Sequence, residues 1–375
     1  MDFTPTEEQE AARELAARIL GDHSTHERLA AAGGATDAGL WKALSAAGLP
    51  AAVEEIGLLG LVLLLEEQGR VTAQVPLAAT GVYGILAVAR HGTEEQRARL
   101  LPGLRDGTTV ATGAFPATGA VTATGAVTAT RAPARTGEGT AGGSGGGAGG
   151  GTARRGRLTG TVAWVPWLRD AAFVLVPDAR RSLWLVRTED AGVEPVELTA
   201  PWSAGRLVLE GAPAERLGDG AGEAGPYEDV LAAARTAFAG LQAGVCAGSL
   251  ARAVAYTSVR EQFGRPLATR QAVQLRAADA HMDTESIRVT AYEAAWRSDA
   301  GLDCSRAALT AAWWASEAGK RVVHSGQHLH GGMGADLDHP VHRHFLWGRQ
   351  LDAYLGAGTE LLAELGDLLA KGDPS

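Results

Sequence analysis

The sequence predicts an α+β fold that is mostly α-helical, in which a small antiparallel β-domain separates two helical domains. Apolar residues recur at helical spacing near the N terminus and again from Tyr227 onward. Short alternating or β-branched segments, bounded by Gly, Pro and Asp, occupy residues 157–210 between them. Because 375 residues exceed one ordinary core, we expect three domains, and these are 1–110, 111–225 and 226–375.

The first domain is predicted to be a compact helical unit. Thr4 can cap its first helix, Pro5 fits the first helical position, and Glu7 can close a capping box. The later helices predicted in this domain are Trp41–Leu49, Ile56–Glu67 and Thr93–Pro102.

A low-complexity stretch opens the middle domain. Residues 117–128 contain Ala-Thr-Gly-Ala-Val-Thr twice in tandem, and residues 136–152 are almost entirely glycine and other small residues. Such a segment cannot bury enough surface to offset its ordering entropy. We therefore predict a disordered Gly/Ala/Thr-rich loop over about 117–156.

Strands and then helices follow this loop. The predicted strands are Arg157–Val165, Ala172–Val176, Ser182–Val186 and Arg206–Glu210. The helices predicted to form a C-terminal four-helix bundle are Arg235–Phe263, Ala272–Asp299, Ser305–His324 and His339–Lys371. Gly240, Gly244 and Gly248 recur every four residues, so one side of the first of these helices should allow close helix approach.

Composition excludes several classes of function. A net charge of −9 argues against nucleic acid as the main partner, although the arginines near position 260 form a local basic patch. The longest apolar run, Leu58 to Leu65, is too short to cross a bilayer, and the N terminus lacks the apolar core of a signal peptide. Cys246 and Cys304 have no spaced partners and are typical of core residues in a cytosolic protein.

Two segments carry the candidate site. Residues 260–271 place an arginine and an aromatic residue before a turn at Gly264 and Pro266, and the planar fork of Arg260 suits a phosphate better than a lysine would. Residues 327–334 contain three glycines in four positions, which lets the backbone approach a ligand closely. Together they predict a site for a molecule with a diphosphate and a flat ring.

The motifs Arg-x-Gln-Phe-Gly-x-Pro and Gln-x-x-x-Gly-Gly-x-Gly, in this order, resemble the flavin-binding motifs of the acyl-CoA dehydrogenase family. The order of helical, β and helical domains resembles that family from end to end. The resemblance implies FAD as cofactor, with its adenine and diphosphate end held across a subunit interface. The residues it implies for FAD binding are Arg260, Gln262, Phe263, Gln271, Gln327, Gly331, Gly332, Gly334 and Trp164.

Two plainer interpretations of these residues remain open. Gln262 could cap a helix without touching the cofactor. The two segments could also be an ordinary helix-turn-helix with a structural arginine and a glycine-rich loop.

The resemblance also implies a reaction that needs a base. Family members remove an α-proton with a carboxylate while a β-hydride leaves to the flavin. Setting Gly358-Thr359 on the family's Gly-Thr places Ala357 at the usual glutamate, and the alternative position holds Ala234. Neither residue is acidic, and we expect Glu360 and Asp352 to be solvated helix residues. The chain is therefore expected to contain no catalytic residue for this reaction.

The half of the site that would hold the flavin ring also departs from the family. Trp164 is retained, but Pro166 replaces a threonine and offers neither a hydroxyl nor a backbone N–H. The family's Thr-Glu-x-x-x-Gly-Ser segment is replaced by the low-complexity repeat. The motif for the cofactor's tail is thus intact, whereas the motif for its ring is eroded.

This asymmetry is similar to that of the base-lacking subunit of actinobacterial heterotetrameric (α2β2) acyl-CoA dehydrogenases. The resemblance implies a cytoplasmic complex in which a second subunit supplies the glutamate and the ring pocket, with an acyl-CoA substrate, possible sterol breakdown and electron-transfer flavoprotein as a possible acceptor. Sterol-derived and secondary-metabolite thioesters would leave the same motifs.

Three rival functions have distinct signatures. Six of the ten histidines lie between His324 and His344, but no cysteine or carboxylate completes a ligand spacing, so we expect no metal site. A self-sufficient homotetrameric flavoenzyme with an atypical base would oxidise acyl-CoA alone. A scaffold subunit without redox function would form a colourless complex.

Overall fold

A computed structural model describes residues 2–115, 128–131, 155–218 and 225–372, without side chains for 128–131. The N-terminal helices are α1 (Glu7–His23), α2 (His26–Ala32), α3 (Ala38–Ala46), α4 (Leu49–Val71), α5 (Leu77–Ala79), α6 (Ala87–His91) and α7 (Glu94–Arg105). A π-helical stretch, Thr80–Leu86, joins α5 to α6. The predicted helical N-terminal domain is confirmed, and α3, α4 and α7 cover the helices expected there.

The start of α1 differs from the prediction. Thr6, not Thr4, is the N-cap: its hydroxyl accepts the N–H of Gln9, whose side chain accepts the N–H of Thr6 in return. This pair forms the capping box two residues later than the one expected from Thr4 and Glu7. The stretch from α5 to α6 was not predicted, because residues 77–88 are all buried and so show no amphipathic period.

Seven strands form one sheet among the described residues. They are β1 (Ala111–Gly113), β2 (Thr128–Arg131), β3 (Arg155–Val165), β4 (Phe173–Pro177), β5 (Leu183–Arg187), β6 (Gly192–Pro195) and β7 (Gly205–Arg216). Their order is β1-β4-β5-β7-β3-β2, and β6 also pairs with β7. All pairs are antiparallel except β1 with β4, which is parallel, so the middle sheet is mixed rather than purely antiparallel.

Part of the predicted loop is strand. Residues 128–131 pair with residues 156–159 of β3, and β3 itself begins at Arg155. The low-complexity segments 116–127 and 132–154 lie outside the described residues.

The C-terminal helices are α8 (Gly225–Val259), α9 (Gln271–Asp299), α10 (Ser305–His330), α11 (Val341–Ala353) and α12 (Gly358–Ala370). The predicted bundle is confirmed, with one difference in its last helix. Residues 354–357 separate α11 from α12, and Leu355 has a positive φ of 65° that no continuous helix accommodates. This break lies where the usual catalytic glutamate was expected.

Helix α8 is the centre of the molecule. A Cβ on Gly244 would lie 2.0 Å from the carbonyl oxygen of Glu66, and one on Gly248 would lie 2.2 Å from that of Arg70. The small residues therefore allow α8 to lie directly against α4, as their spacing predicted. Helix α8 is long and apolar enough to cross a membrane, but 94% of its most apolar window is buried inside the protein.

Candidate functional site

A short hairpin follows α8 and presents the first motif. β8 (Glu261–Gln262) pairs with β9 (Arg265–Pro266) across a two-residue turn. Both turn residues have positive φ, 54° at Phe263 and 75° at Gly264, which is the requirement of a type I′ turn. Glycine adopts this conformation freely, whereas phenylalanine does so only at a cost of about 1–3 kcal/mol.

The hairpin side chains point away from the protein's own core. Phe263 is 92% exposed, the largest exposure among the apolar side chains described as exposed. Arg260 is exposed, and its guanidinium makes no hydrogen bond or ion pair with any residue that the structure describes. An unpaired guanidinium beside an exposed aromatic ring can bind a diphosphate and stack on a planar group.

The second motif forms the end of α10 and the turn after it. Gly331 closes the helix with a φ of 63°, and Gly332 is exposed, so that a Cβ added to it would meet no atom within 4 Å. A Cβ on Gly334 would lie 2.3 Å from the carbonyl oxygen of Gln327, whose Nε2 donates to the Gly334 carbonyl at 3.2 Å. Gly334 therefore shapes the loop, whereas Gly331 and Gly332 leave its outer backbone open to a ligand.

Tyr256 joins the two motifs. It lies one turn before Arg260 in α8, and its ring stacks on His330 with centroids 4.8 Å apart. Its hydroxyl lies 3.9 Å from the sulfur of Met333 in the glycine loop. The end of α8 and the glycine loop thus form one continuous surface, in which segments far apart in sequence meet in space.

Two predicted glutamines lie on or beside this surface. Gln262 belongs to the hairpin, where its backbone carbonyl accepts a hydrogen bond from Arg270 at 2.7 Å. Gln271 is exposed at the first position of α9. We call the exposed hairpin, Gln271 and the glycine loop (Arg260–Gln271 and Gln327–Gly334) the tail-binding surface, after the role that the sequence predicts for it.

Trp164 lies in a different environment. Its ring packs on Tyr354 at 5.4 Å, and Tyr354 also packs on Phe238 at 4.6 Å. Phe115 stacks on Tyr83 at 5.1 Å and on Tyr227 at 5.6 Å. A hydrogen bond of 2.8 Å between the hydroxyls of Tyr83 and Tyr354 joins the two groups. We call these residues the aromatic cluster: Tyr83, Phe115, Trp164, Tyr227, Phe238 and Tyr354.

The centre of the cluster is buried and neutral. Tyr83 is fully buried and Tyr354 is 6% exposed. Burial raises the pKa of both phenols well above the usual value, so both stay protonated near neutral pH. Trp164, beside which the resemblance implies a flavin ring, packs on one of these tyrosines and is itself half-buried.

Neither expected base position carries a titratable group. Ala357 is the N-cap residue of α12, and Ala234 is fully buried within α8. The carboxylate of Glu360 accepts the N–H of Ala357 at 3.1 Å, so it caps α12. Asp352 accepts the hydroxyl of Ser316 at 2.9 Å and pairs with Arg349. These two acids, predicted to be solvated helix residues, have structural partners instead.

Two further acids, Glu66 and Asp299, also have fixed structural partners. Glu66 is fully buried, and burial raises its pKa against the opposing attraction of Arg288, which lies 3.1 Å away. The carboxylate of Asp299 accepts the N–H groups of Leu58 and Leu59 at 2.8 Å each. Sequence spacing contained no signal for either acid, since each depends on contacts between distant helices.

Metal and cavity chemistry give no alternative centre in the described part of the chain. No group of three or more His, Cys, Asp or Glu residues there could hold a metal ion. A cavity of about 770 Å³ lies between α2, α11 and residues 195–204. Among its lining residues Glu197 is the one acid, and it is exposed, so the cavity offers no desolvated base.

Comparison with known proteins then assigns the family. Residues 6–108 match the model of the acyl-CoA dehydrogenase N-terminal domain, and residues 227–364 match that of the C-terminal domain. Acyl-CoA dehydrogenase FadE27 of Mycobacterium tuberculosis is 35% identical over 397 residues, covering 99% of both chains. The chain belongs to the acyl-CoA dehydrogenase family.

Solved structures agree with this membership. The Tcur3481-Tcur3483 steroid ACAD G363A variant superposes with a TM-score of 0.86 at 40% identity, covering 98% of this chain and 99% of that one. The ChsE4-ChsE5 complex from Mycobacterium tuberculosis superposes with a TM-score of 0.84 at 32% identity over the full length of both chains. Butyryl-CoA dehydrogenase from Megasphaera elsdenii, at 22% identity, shares the fold.

Family membership makes this acyl-CoA dehydrogenase chain an oxidoreductase subunit whose cofactor is FAD. The described residues fit only part of that cofactor. The tail-binding surface offers an arginine with no partner among the described residues, an exposed aromatic ring and open glycine backbone, all suited to a nucleotide diphosphate. Beside Trp164, by contrast, Tyr354 packs on the ring and Pro166 offers no N–H.

Proposed function

We propose that this chain is the base-lacking subunit of a heteromeric, FAD-dependent acyl-CoA dehydrogenase. Its tail-binding surface would hold the adenine and diphosphate of FAD, while a second acyl-CoA dehydrogenase-like subunit supplies the ring pocket and the catalytic glutamate. The observation that carries the proposal is a contrast among the described residues: the Arg260 guanidinium is exposed and has no partner there, whereas both expected base positions are alanines.

The surface around the hairpin supports a partner subunit. Leu275, Met282 and Val289 recur every seven residues along α9 and are 57%, 62% and 48% exposed. A stripe of this length and period on a helix is suited to packing against another helix. Because α9 begins directly after the hairpin, a subunit packed on this stripe would lie next to the flavin tail.

Two of the similar structures support a two-chain enzyme and a steroid substrate. One is a complex of ChsE4 with ChsE5, and the other is the Tcur3481-Tcur3483 steroid ACAD. By this similarity we propose a sterol-derived acyl-CoA thioester as substrate, a cytoplasmic location and electron-transfer flavoprotein as the electron acceptor.

When bound, FAD would supply the hydride acceptor for the β-carbon of the thioester. A carboxylate of the partner subunit would remove the α-proton, because neither Ala357 nor Ala234 can. Arg260 would hold the diphosphate, Phe263 would contact the nucleotide, and the open backbone at Gly331 and Gly332 would allow it to approach. This chain therefore binds and orients the cofactor, and it moves no proton.

The proposal is tested by purifying the chain alone and after co-expression with the neighbouring acyl-CoA dehydrogenase gene product. We expect a colourless chain alone, and a yellow complex that oxidises steroid acyl-CoA. A chain that alone binds FAD and oxidises a thioester would support the self-sufficient enzyme. A stable but colourless complex would support the scaffold.

A further inference from the structure

The tip of the flavin-tail hairpin needs a restraint that the hairpin itself does not supply. Phe263 adopts a positive φ of 54°, which disfavours any residue with a side chain. Its ring is 92% exposed, so the protein core does not hold it. The bonds of the β8–β9 pair and the N–H of Leu267 to the Arg260 carbonyl fix the base of the hairpin, not its tip.

One side chain outside the hairpin reaches the tip. The Nη2 of Arg270 donates to the carbonyl of Gln262 at 2.7 Å. The same guanidinium lies over the ring of Phe263, 5.2 Å from its centroid, within cation–π range. Arg270 thus contacts both the backbone before the turn and the ring that the turn displays.

Arg270 is itself held in place. Its N–H donates to the Leu267 carbonyl at 3.0 Å, and its own carbonyl accepts the N–H groups of Val273 and Gln274 in the first turn of α9. The side chain therefore extends from the start of a 29-residue helix rather than from a free loop. A rigid base of this kind lowers the entropy lost when the guanidinium engages the hairpin.

We infer that Arg270 is a positioning residue that holds Phe263 in the conformation required to bind the flavin tail. The inference rests on the proposed function, because it assigns the hairpin to FAD. It adds a residue outside the cofactor-binding set and makes a definite claim about its action: Arg270 works through Phe263 and Gln262, and not as a further charge near the diphosphate.

The test compares variants in the co-expressed complex, with FAD affinity measured by reconstitution of the deflavinated protein. We expect Arg270→Ala to weaken FAD binding about tenfold, since one charge-assisted hydrogen bond and one cation–π contact are lost. Arg270→Lys should weaken FAD binding about threefold, because it keeps the charge and one donor but not the planar fork. Arg180→Ala is the control, since it removes one exposed arginine that lies outside the tail-binding surface.

A double-variant cycle separates positioning from direct charge attraction. In a Phe263→Ala background, Arg270→Ala should add little further loss, because the ring through which it acts is gone. Thermal midpoint and complex assembly should be unchanged in Arg270→Ala, which excludes a merely structural role.

Three results would overturn the inference. One is an equal loss of FAD affinity in Arg270→Ala and Arg180→Ala. The second is an undiminished effect of Arg270→Ala without Phe263, and the third is wild-type FAD affinity in Arg270→Ala. A wild-type complex that binds no FAD would instead overturn the proposed function itself, so the failure of the inference and the failure of the proposed function are distinguishable.

Discussion

The tail-binding surface and the aromatic cluster belong to one chain but have opposite physical character. At the surface, the Arg260 guanidinium is exposed and has no partner among the described residues, and Phe263 is 92% exposed. In the cluster, Tyr83 and Tyr354 are buried and hydrogen-bonded to each other. Exposed binding groups in a chain whose expected base positions are alanines are what we expect of half a site. On the proposed function, cofactor binding and catalysis are separable within this fold.

We expect the largest effect on FAD binding from substitution of Arg260. Arg260→Ala in the complex should weaken FAD binding about a hundredfold, because truncating one member of a charge pair typically costs about 2–5 kcal/mol. The FAD affinity of Arg260→Lys should lie between those of the wild type and Arg260→Ala, since a point charge replaces a bidentate fork. Fluorescence titration of FAD measures both. The control is Arg180→Ala, which removes an exposed arginine from the turn between β4 and β5. An equal loss of FAD affinity in this variant would show that only overall charge matters.

A second prediction concerns His344. This residue lies in α11, the helix that precedes Tyr354, and it packs against α8. Burial lowers the pKa of this imidazole to about 4. The folded chain therefore favours the neutral form, and stability present above about pH 6.5 is lost as the pH falls towards 4. Between about pH 7 and pH 5 the free energy of unfolding should decrease by about 2 kcal/mol from this group.

Urea unfolding of wild type and His344→Gln at both pH values measures that decrease. The variant keeps a donor for the Arg70 carbonyl, which His344 Nε2 contacts at 3.0 Å, but cannot titrate. The pH-dependent loss should shrink by that amount in the variant. An unchanged loss would assign the titration to another group.

The cluster can be tested through its hydroxyl pair. Tyr83→Phe leaves the Tyr354 hydroxyl buried without its partner, which should cost about 1–3 kcal/mol of stability. The double variant Tyr83→Phe with Tyr354→Phe should recover part of that loss, because no unsatisfied group remains. FAD affinity of the complex should not change in either. A large change in turnover with unchanged stability would instead make the cluster part of the active site.

No gain of activity is expected from restoring the base alone. Ala357→Glu places a carboxylate at the usual base position, but on the proposed function the ring pocket still belongs to the partner subunit. The purified variant chain should therefore remain unable to oxidise a thioester, as an absorbance assay with an artificial electron acceptor would show. Activity gained by this one substitution would mean that only the base had been lost.

Sequence patterns predicted the three-part fold, the strands and the helices because periodicity and turn residues are local signals. They placed the turn at Gly264 and Pro266 correctly, but they extended the preceding helix to Phe263, whereas α8 ends at Val259 and a hairpin follows it. They missed the Leu77–His91 stretch, whose continuous apolar residues show no period. The parallel pairing of β1 with β4 was also missed, because it depends on contacts beyond the strands themselves.

The candidate site divides in the same way. Its glycines and arginine are recognisable from spacing, and the missing base is visible as an alanine. The aromatic cluster could not be predicted, because Tyr83 and Tyr354 are 271 residues apart and nothing local pairs them. The contact of Arg270 with the hairpin was missed for another reason: an arginine before a helix is most often a solvated residue.

The most direct measurement of the divided site is the number of flavins in the assembled enzyme. FAD released from the purified wild-type complex should be quantified by absorbance against the amount of each subunit. The account predicts one FAD for each pair of unlike subunits, because this chain contributes a tail-binding surface but no ring pocket. Two FAD molecules per pair would contradict it, since a second flavin ring would then have to lie beside Trp164.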